Sequence, residues 1–287
     1  MAIPRRARAF VPAWVLALGL ACTAVQAVST TRSLAPEPTD DFPDVARAYW
    51  VEIDGRPTWA GQPDEALPMA SLAKLMTALL VAESGRLDEE LTVSAGAAHA
   101  TGTRLGLRAG ERFLAADLFT ATLVRSANDA CRALADWQGG DLATFVARMN
   151  ARAAELGLHD TRFGNACGHD APGQGSSVRD LAALARVAMA QPRIAAEVKR
   201  SSASFSSLGG RRFEINSTNA LLRQFPGTLG VKTGYTPGAG RCLIALVQRD
   251  GHEVLVVMLH APDRWWDTVA LIELAFAHAR ERGATRP

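Results

Sequence analysis

Hydrophobic and polar positions change their spacing three times along the chain. Near the start, AYWVEI and RPTWAG are short apolar runs on either side of Asp54-Gly55, a strong two-residue hairpin signal. Between residues 69 and 200, apolar residues recur at helical spacing in segments such as ASLAKLMTALLVAES and VRDLAALARVAMAQ. Strand-like runs then return, and a last amphipathic segment covers about residues 264–280. The order is therefore sheet, helices, sheet, helix.

This order predicts an α+β fold in which an early hairpin completes a sheet whose other strands come late. We expect an antiparallel sheet of about five strands, with the terminal helix packed on it and an all-helical lobe inserted into it. The sheet subdomain covers residues 45–68 and 201–287, and the helical lobe covers residues 69–200. Residues 28–44, rich in proline, predict an irregular lead-in.

The first 27 residues have the pattern of an export signal. Three arginines precede an apolar run over residues 10–25, and small residues follow up to Ala27. The run is short for a membrane span and Pro12 interrupts it, which disfavours an uncleaved anchor. We expect cleavage near Ala27, a periplasmic location, and no stable membrane anchor after cleavage.

Composition then excludes several classes of function. Removing the three arginines of the signal leaves 28 basic residues against 29 acidic ones, so no nucleic-acid footprint is expected. The six histidines show no ligand spacing, which predicts no metal and no other cofactor. Beyond the signal the chain keeps Cys131, Cys167 and Cys242, and this odd number predicts no disulfide framework.

Lysine is rare in this chain, and its positions single out candidate chemistry. Of 31 basic residues only Lys74, Lys199 and Lys232 are lysine. Lys74 follows Ser71 by three residues on an apolar helix, which places amine and hydroxyl on one face. A serine needs a base to become a nucleophile, and a desolvated lysine, unlike arginine, can lose its proton. This S-x-x-K pair therefore predicts a serine nucleophile with a lysine base.

Two further motifs each have a plain structural alternative. The K-T-G at residues 232–234 falls on a predicted strand and can hold a substrate carboxylate, although for this motif alone a solvated edge lysine is an equally good interpretation. The S-x-N from Ser126 to Asn128 is placed to start a helix, and for this motif alone helix capping is the favoured interpretation. A second S-x-N lies at residues 217–219, but the first falls at the edge of the helical lobe, between the other motifs.

Together, in this order, the three motifs resemble those of the penicillin-recognising serine enzymes. PMASLAKLMTALL, LVRSANDAC and STNALLRQFPGTLGVKTGYTPGAGRCLIA are similar to segments of the low-molecular-mass penicillin-binding proteins, which are serine D-alanyl-D-alanine carboxypeptidases and their endopeptidase relatives. The similarity runs over about residues 46–276. It implies a β-lactamase/D,D-peptidase-like fold, the D-alanyl-D-alanine ends of peptidoglycan stem peptides as substrate, and β-lactam antibiotics as covalent inhibitors.

The resemblance also implies roles for individual residues. Ser71 would be the acylated nucleophile, Lys74 its base, and Ser126 the relay that carries a proton to the leaving amine. The N–H groups of Ser71 and Tyr235 would form the oxyanion hole. The residues implied in substrate binding are Asn128, Lys232, Thr233, Gly234, Tyr235 and Arg264.

One departure from the family pattern lies in NACGHDAPG. The family usually has histidine before the glycine, whereas here Cys167 precedes Gly168 and His169 follows it. We therefore expect deacylation or loop packing to differ from that of better-known members.

Three alternative functions remain open at this point. A class A β-lactamase needs a glutamate to direct water, and the nearest candidate, Glu155, lies in surroundings that resemble the peptidases. A non-catalytic penicillin-binding receptor would keep Ser71 but normally carries a further membrane span. A D,D-endopeptidase differs from a carboxypeptidase only in what lies on the leaving side of the cleaved bond.

Overall fold

The computed structural model describes residues 37–284, together with Ala2. The expected signal segment and the first part of the expected lead-in lie outside the described residues. The strands are β1 (Ala48–Ile53), β2 (Arg56–Gly61), β3 (Glu90–Thr92), β4 (Arg112–Leu114), β5 (Ser202–Ser206), β6 (Arg212–Asn216), β7 (Thr228–Thr236), β8 (Gly240–Arg249) and β9 (His252–Ala261).

The helices lie mainly between β2 and β5. They are a 3-10 helix (Ala70–Ala73), α1 (Lys74–Glu83), α2 (Ala95–Ala98), α3 (Ala115–Val124), α4 (Asn128–Gly139), α5 (Leu142–Glu155), α6 (Val178–Met189), α7 (Pro192–Val198), α8 (Leu221–Gln224) and α9 (Trp266–Ala284). Within residues 37–284, no helix is both long enough and apolar enough to cross a bilayer.

Five strands form one antiparallel sheet in the order β2-β1-β9-β8-β7, which confirms the predicted fold class. Asp54 and Gly55 make the turn between β1 and β2, and both have positive φ angles. β1 pairs with β9, with Ala48 opposite Leu259. The early hairpin is thereby joined to a strand that lies more than 200 residues later in the sequence.

Alternating side chains send the two faces of the sheet into different cores. On β9, Leu255, Val257 and Leu259 belong to the apolar cluster shared with the helical lobe. Val254 and Val256 point to the other face, into the cluster that includes the buried side of α9. The sheet is thus the middle layer between the lobe and the terminal helix.

Helix α1 passes through the interior of the helical lobe. It contacts α3, α4, α5, α6 and α7, and eight of its ten residues are buried. A helix surrounded in this way normally carries apolar side chains all round. Lys74 is the first residue of α1 and is among the buried ones, so its amine has to find its partners inside the protein.

The first strands after residue 200 lie outside the five-stranded sheet. β5 and β6 pair only with each other in a two-stranded sheet. The rings of Phe205 and Phe213 stack with their centroids 5.3 Å apart, and Phe213 also lies 5.6 Å from Phe113 of β4. This aromatic contact attaches the hairpin to the helical lobe, an arrangement that strand periodicity alone does not reveal.

We predict that Phe213→Ala lowers the free energy of unfolding by about 3 to 5 kcal/mol, because it removes a ring from this buried cluster. Leu208→Ala is the matched control in the same hairpin, since Leu208 is 45% exposed and its removal is expected to change stability by no more than about 0.5 kcal/mol. Chemical denaturation measures both. Equal losses in the two variants would show that the stack does not hold the hairpin.

Candidate active site

The S-x-x-K pair is brought together at the junction of two helices. Ser71 lies in the 3-10 helix and Lys74 begins α1, so the two side chains project to the same side one turn apart. Lys74 Nζ lies 2.9 Å from Ser71 Oγ. Ala70, just before Ser71, has a φ of +48°, a strained value for a residue with a side chain. The serine is therefore held in a tight, strained turn.

The remaining partners of Lys74 are two carbonyl oxygens. Its Nζ donates to Asn128 Oδ1 at 2.7 Å and to the backbone oxygen of Cys167 at 2.5 Å. The side chain has no solvent exposure, and none of these partners carries a charge. A neutral amine has two N–H donors and one lone pair, which matches two carbonyl acceptors and one hydroxyl that can donate.

Burial also acts on the protonation of Lys74. Desolvation, reinforced by the nearby positive charge of Lys232, lowers the pKa of Lys74 well below that of an ordinary lysine. Lowering the pKa of an amine favours its neutral form. The site therefore holds Lys74 in the form that can accept a proton from Ser71.

Lys232 and Ser126 form a second buried pair beside the first. Lys232 Nζ donates to Ser126 Oγ at 2.8 Å and to the backbone oxygen of Thr233 at 2.9 Å. Burial, followed by the charge of Arg264, lowers the pKa of Lys232 to about 7. Lys232 is only 1% exposed, so the alternative of a solvated edge lysine is wrong.

Ser126 is not a helix cap. It lies between α3 and α4 with a φ of +60°, and no side chain caps the first turn of α4. Its hydroxyl accepts from Lys232 instead. A polar residue held at an unfavourable backbone angle, with its hydroxyl on a buried amine, is typical of a functional site.

Asn128 has a fixed orientation because both ends of its amide are occupied. While Oδ1 accepts from Lys74, Nδ2 donates to the backbone oxygen of Thr101 at 2.6 Å and lies 3.2 Å from His169 Nε2. Its backbone N–H donates to the Thr103 carbonyl at 2.7 Å. Asn128 thus connects the lysine to the loop that follows α2.

The K-T-G segment lies on β7, the end strand of the sheet, beside the 3-10 helix. A Cβ added to Gly234 would lie 3.1 Å from the backbone nitrogen of Ser71, so a side chain there would crowd Ser71. Thr233 Oγ1 is 2.7 Å from Thr218 Oγ1, and Tyr235 is 63% exposed. Strand β7 therefore passes directly beside Ser71.

Arg264 lies behind β7. Its Nη1 donates to the Gly234 carbonyl at 2.7 Å, and its guanidinium covers the ring of Trp265. Burial lowers the pKa of Arg264 from its usual value. The structure thus places all nine predicted site residues around the same junction of the 3-10 helix, the α3–α4 turn and β7.

Sequence reasoning missed one covalent bond. Cys131 of α4 and Cys167 form a disulfide with their Cα atoms 6.0 Å apart, and Cys242 is a buried free cysteine. The odd number of cysteines predicted no disulfide framework, and it leaves one thiol over without preventing this single bridge. The two cysteines are 36 residues apart, and no pattern in the sequence pairs them.

Sequence reasoning also missed two groups that contact predicted site residues, the Cys167 carbonyl and the Thr218 hydroxyl. A backbone oxygen such as that of Cys167 cannot be recognised from residue type. Thr218 lies in the second S-x-N, where Ser217 and Asn219 form a local turn.

Over residues 37–284, the acidic residues, histidines and cysteines form no group of three that is suited to a metal ion.

Comparison with known proteins gives matches over most of the chain. The model of the S11 peptidase family, described as D-alanyl-D-alanine carboxypeptidase, matches residues 43–263. D-alanyl-D-alanine carboxypeptidase DacB2 of Mycobacterium tuberculosis is 31% identical over 247 residues, which are 82% of this chain and 84% of that protein. The D-alanyl-D-alanine endopeptidase of Escherichia coli is 30% identical over 254 residues, 86% of this chain and 81% of that protein.

Among solved structures, the Streptomyces K15 DD-transpeptidase is similar with a TM-score of 0.77 and 26% identity, over 84% of this chain and 99% of that one. Other curated carboxypeptidases that the chain matches are longer, and it spans 60% or 61% of their length.

We predict that Gly168→Ala abolishes the reactivity of Ser71. Gly168 has a φ of +81°, and a Cβ there would come within 1.9 Å of the Ala70 carbonyl oxygen, so the turn that carries the nucleophile has to move. Gly173→Ala is the matched control, because its φ of +70° imposes a similar backbone strain while its nearest neighbours are 3.9 Å away. Labelling with a fluorescent penicillin measures both variants. Equal reactivity would mean that this close approach does not matter.

Proposed function

The chain belongs to the D-alanyl-D-alanine carboxypeptidase family, and from this premise we propose that it is a serine D,D-carboxypeptidase that removes the terminal D-alanine from peptidoglycan stem peptides. The observation that carries the proposal is the fully buried Lys74 amine, 2.9 Å from Ser71 Oγ and surrounded by uncharged partners. This arrangement supplies a base where a serine nucleophile needs one.

Acylation starts with transfer of the Ser71 hydroxyl proton to Lys74. As Oγ attacks the carbonyl carbon of the penultimate D-alanine, the amine becomes an ammonium that still donates to Asn128 Oδ1 and to the Cys167 carbonyl. Negative charge develops on the carbonyl oxygen, and the backbone N–H groups of Ser71 and Tyr235 donate hydrogen bonds to it. The product of this step is an ester at Ser71, which water then hydrolyses.

Departure of the terminal D-alanine requires a proton on its amine. Ser126 is the donor, because its hydroxyl lies 2.8 Å from Lys232 Nζ and can be replenished from that group. With a pKa of about 7, Lys232 can both give and take a proton near neutral pH. Ser126 and Lys232 thus form a relay on the leaving-group side of the bond.

The terminal carboxylate of the substrate is held from the β7 side. Lys232 and Thr233 offer an ammonium and a hydroxyl next to the edge of the sheet. Asn128 would hydrogen-bond the substrate amide by exchanging its Nδ2 contact with His169 for the substrate. Arg264 adds positive charge behind them while it fixes the Gly234 carbonyl. β-Lactams, which present a carboxylate and a strained amide in the same arrangement, would acylate Ser71 and block the enzyme.

The same proposal has consequences for where the protein works and for whether it requires a cofactor. The signal pattern over residues 1–27 supports export to the periplasm, where stem peptides are found. The chemistry assigned to Ser71, Lys74 and Ser126 needs neither a metal nor an organic cofactor.

A D,D-endopeptidase is the second candidate, and the 30% identity with the Escherichia coli endopeptidase favours it. Both activities share the acyl half of the reaction and differ only in the leaving group, a free D-alanine or a cross-linked stem. The residues placed around Ser71 serve both.

Digestion of purified muropeptides, followed by mass spectrometry, tests the proposal. Loss of one D-alanine from monomeric pentapeptides supports the carboxypeptidase, and conversion of cross-linked dimers to monomers supports the endopeptidase. A chelator is included in a parallel digest and is expected to have no effect. Absence of both products, or loss of activity in the chelator that zinc restores, would contradict the proposal.

We predict that Lys74→Arg folds but loses acylation by about 10²- to 10⁴-fold, because arginine keeps the positive charge yet cannot accept the Ser71 proton. Lys199→Arg is the control, since Lys199 is exposed and lies at the end of α7. Acylation by a labelled penicillin is measured after circular dichroism has shown both variants to be folded. A Lys74→Arg variant that acylates within a few-fold of the native rate would exclude the base role.

A further inference from the structure

The disulfide links two of the groups that surround Lys74. Cys131 lies one helical turn after Asn128 on α4, so both project from the same side of that helix. Cys167 supplies the backbone oxygen that accepts from Lys74, while Asn128 supplies the amide oxygen that does the same. The Cys131–Cys167 bond therefore connects α4, which carries one carbonyl acceptor of the lysine, to the residue that carries the other.

The segment that carries Cys167, here called the Cys167 loop (residues 164–170), is shaped by its own hydrogen bonds. Asn165 Oδ1 accepts from the N–H groups of Cys167, Gly168 and His169 at 3.2, 2.7 and 3.0 Å. These bonds fix the curvature of the loop but do not attach it to α4. The disulfide provides that attachment. A polar contact between the loop and α4 lies beside it, with His169 Nε2 3.2 Å from Asn128 Nδ2.

A further anchor ties the Cys167 loop to α1 rather than to α4. Thr77 Oγ1 donates to the Ala166 carbonyl at 2.6 Å, one turn beyond Lys74. The loop is thus fastened to α1 by a hydrogen bond and to α4 by a covalent bond. Both cysteine side chains are buried, with 0% and 4% exposure, so the bridge is part of the wall of the lysine site.

On the basis of the proposed function, we propose that the Cys131–Cys167 disulfide is a positioning element for acylation: it holds Asn128 Oδ1 and the Cys167 oxygen so that the lone pair of Lys74 faces Ser71. Reduction by a dithiol breaks the S–S bond and gives two thiols, while the dithiol is oxidised to its own disulfide with transfer of two electrons and two protons. The reduced enzyme keeps every predicted site residue but acylates slowly. Full activity therefore depends on an oxidising compartment.

The distances explain why loosening this bond affects the rate. Lys74 Nζ is in contact with Ser71, Asn128 and Cys167 at 2.9, 2.7 and 2.5 Å, so a displaced acceptor turns the amine away from the hydroxyl. A displacement of about 1 Å in a reacting group can cost about 10²-fold in rate. Water that enters beside the loop also stabilises the ammonium form.

The test compares native protein with the double variant Cys131→Ala/Cys167→Ala. Peptide mapping of the native protein first establishes whether the linked peptides are present. Acylation by labelled penicillin is then measured across pH, with and without dithiothreitol, at a temperature where circular dichroism shows full folding. We expect the double variant and the reduced native protein to acylate about 10- to 100-fold more slowly.

The pH profile separates positioning from simple stability. An amine that regains contact with water has a higher pKa than a buried one. In the double variant, the acid limb of the pH profile, where the acylation rate rises with pH, should therefore move to higher pH. The titratable groups that the structure places around this amine, Lys232 on β7, Arg264 behind it and His169 in the Cys167 loop, are unchanged in that variant. A purely structural disulfide would lower the unfolding temperature and leave the rate and this limb unchanged.

The outcomes distinguish this proposal from the proposed function. Oxidised native protein that fails to react with penicillin overturns the proposed function. Native protein that reacts, with a double variant equally fast and an unchanged acid limb, overturns the positioning role. Absence of the linked peptide overturns it as well. Dithiothreitol that slows the double variant as much as the native protein would place the effect on another group and also contradict the proposal.

Discussion

The burial of one amine governs the arrangement of the site. Lys74 has no contact with solvent, and a fully buried ammonium without a counter-ion costs several kcal/mol. Its partners among the described residues are a hydroxyl and two carbonyl oxygens, none of which offsets a full positive charge. The protein reduces this cost by favouring the neutral amine, which is also the form that can take a proton from Ser71. The unfavourable burial and the chemistry therefore have the same origin.

The rest of the fold maintains this burial. α1 is enclosed by other helices, so Lys74 cannot turn outward to water. β7 closes the opposite side and brings Lys232, whose positive charge further disfavours an ammonium at Lys74. Arg264 acts on Lys232 in the same way, from behind the strand. Arg264 thus lowers the pKa of Lys232, and Lys232 lowers that of Lys74. The positive charge of Arg264 and Lys232 also attracts a substrate carboxylate.

The sequence was sufficient to predict the parts of the fold and site that depend on spacing. Strand and helix periods predicted the five-stranded sheet and the inserted helices, and the structure places the motifs of Ser71, Ser126 and Lys232 side by side. Burial then excludes the solvated edge interpretation of Lys232, and the first turn of α4, which no side chain caps, excludes the capping interpretation of Ser126. What failed depends on packing between segments far apart in sequence. The disulfide joins residues 36 apart, and the β5–β6 hairpin is held by rings on a strand about 100 residues earlier. Backbone groups, such as the Cys167 carbonyl, cannot be identified from residue type at all.

The central claim is that Lys74 is a neutral amine at the pH where the enzyme works, and it can be measured directly. The chain has three lysines, so protein labelled with ¹³C at lysine Cε gives three NMR signals, which Lys74→Arg and Lys199→Arg assign. Titration of these signals reports each protonation state. We expect Lys74 to titrate well below the ordinary lysine value of about 10.4, and Lys232 to titrate near 7. A Lys74 signal that titrates at about 10.4 or above would contradict it.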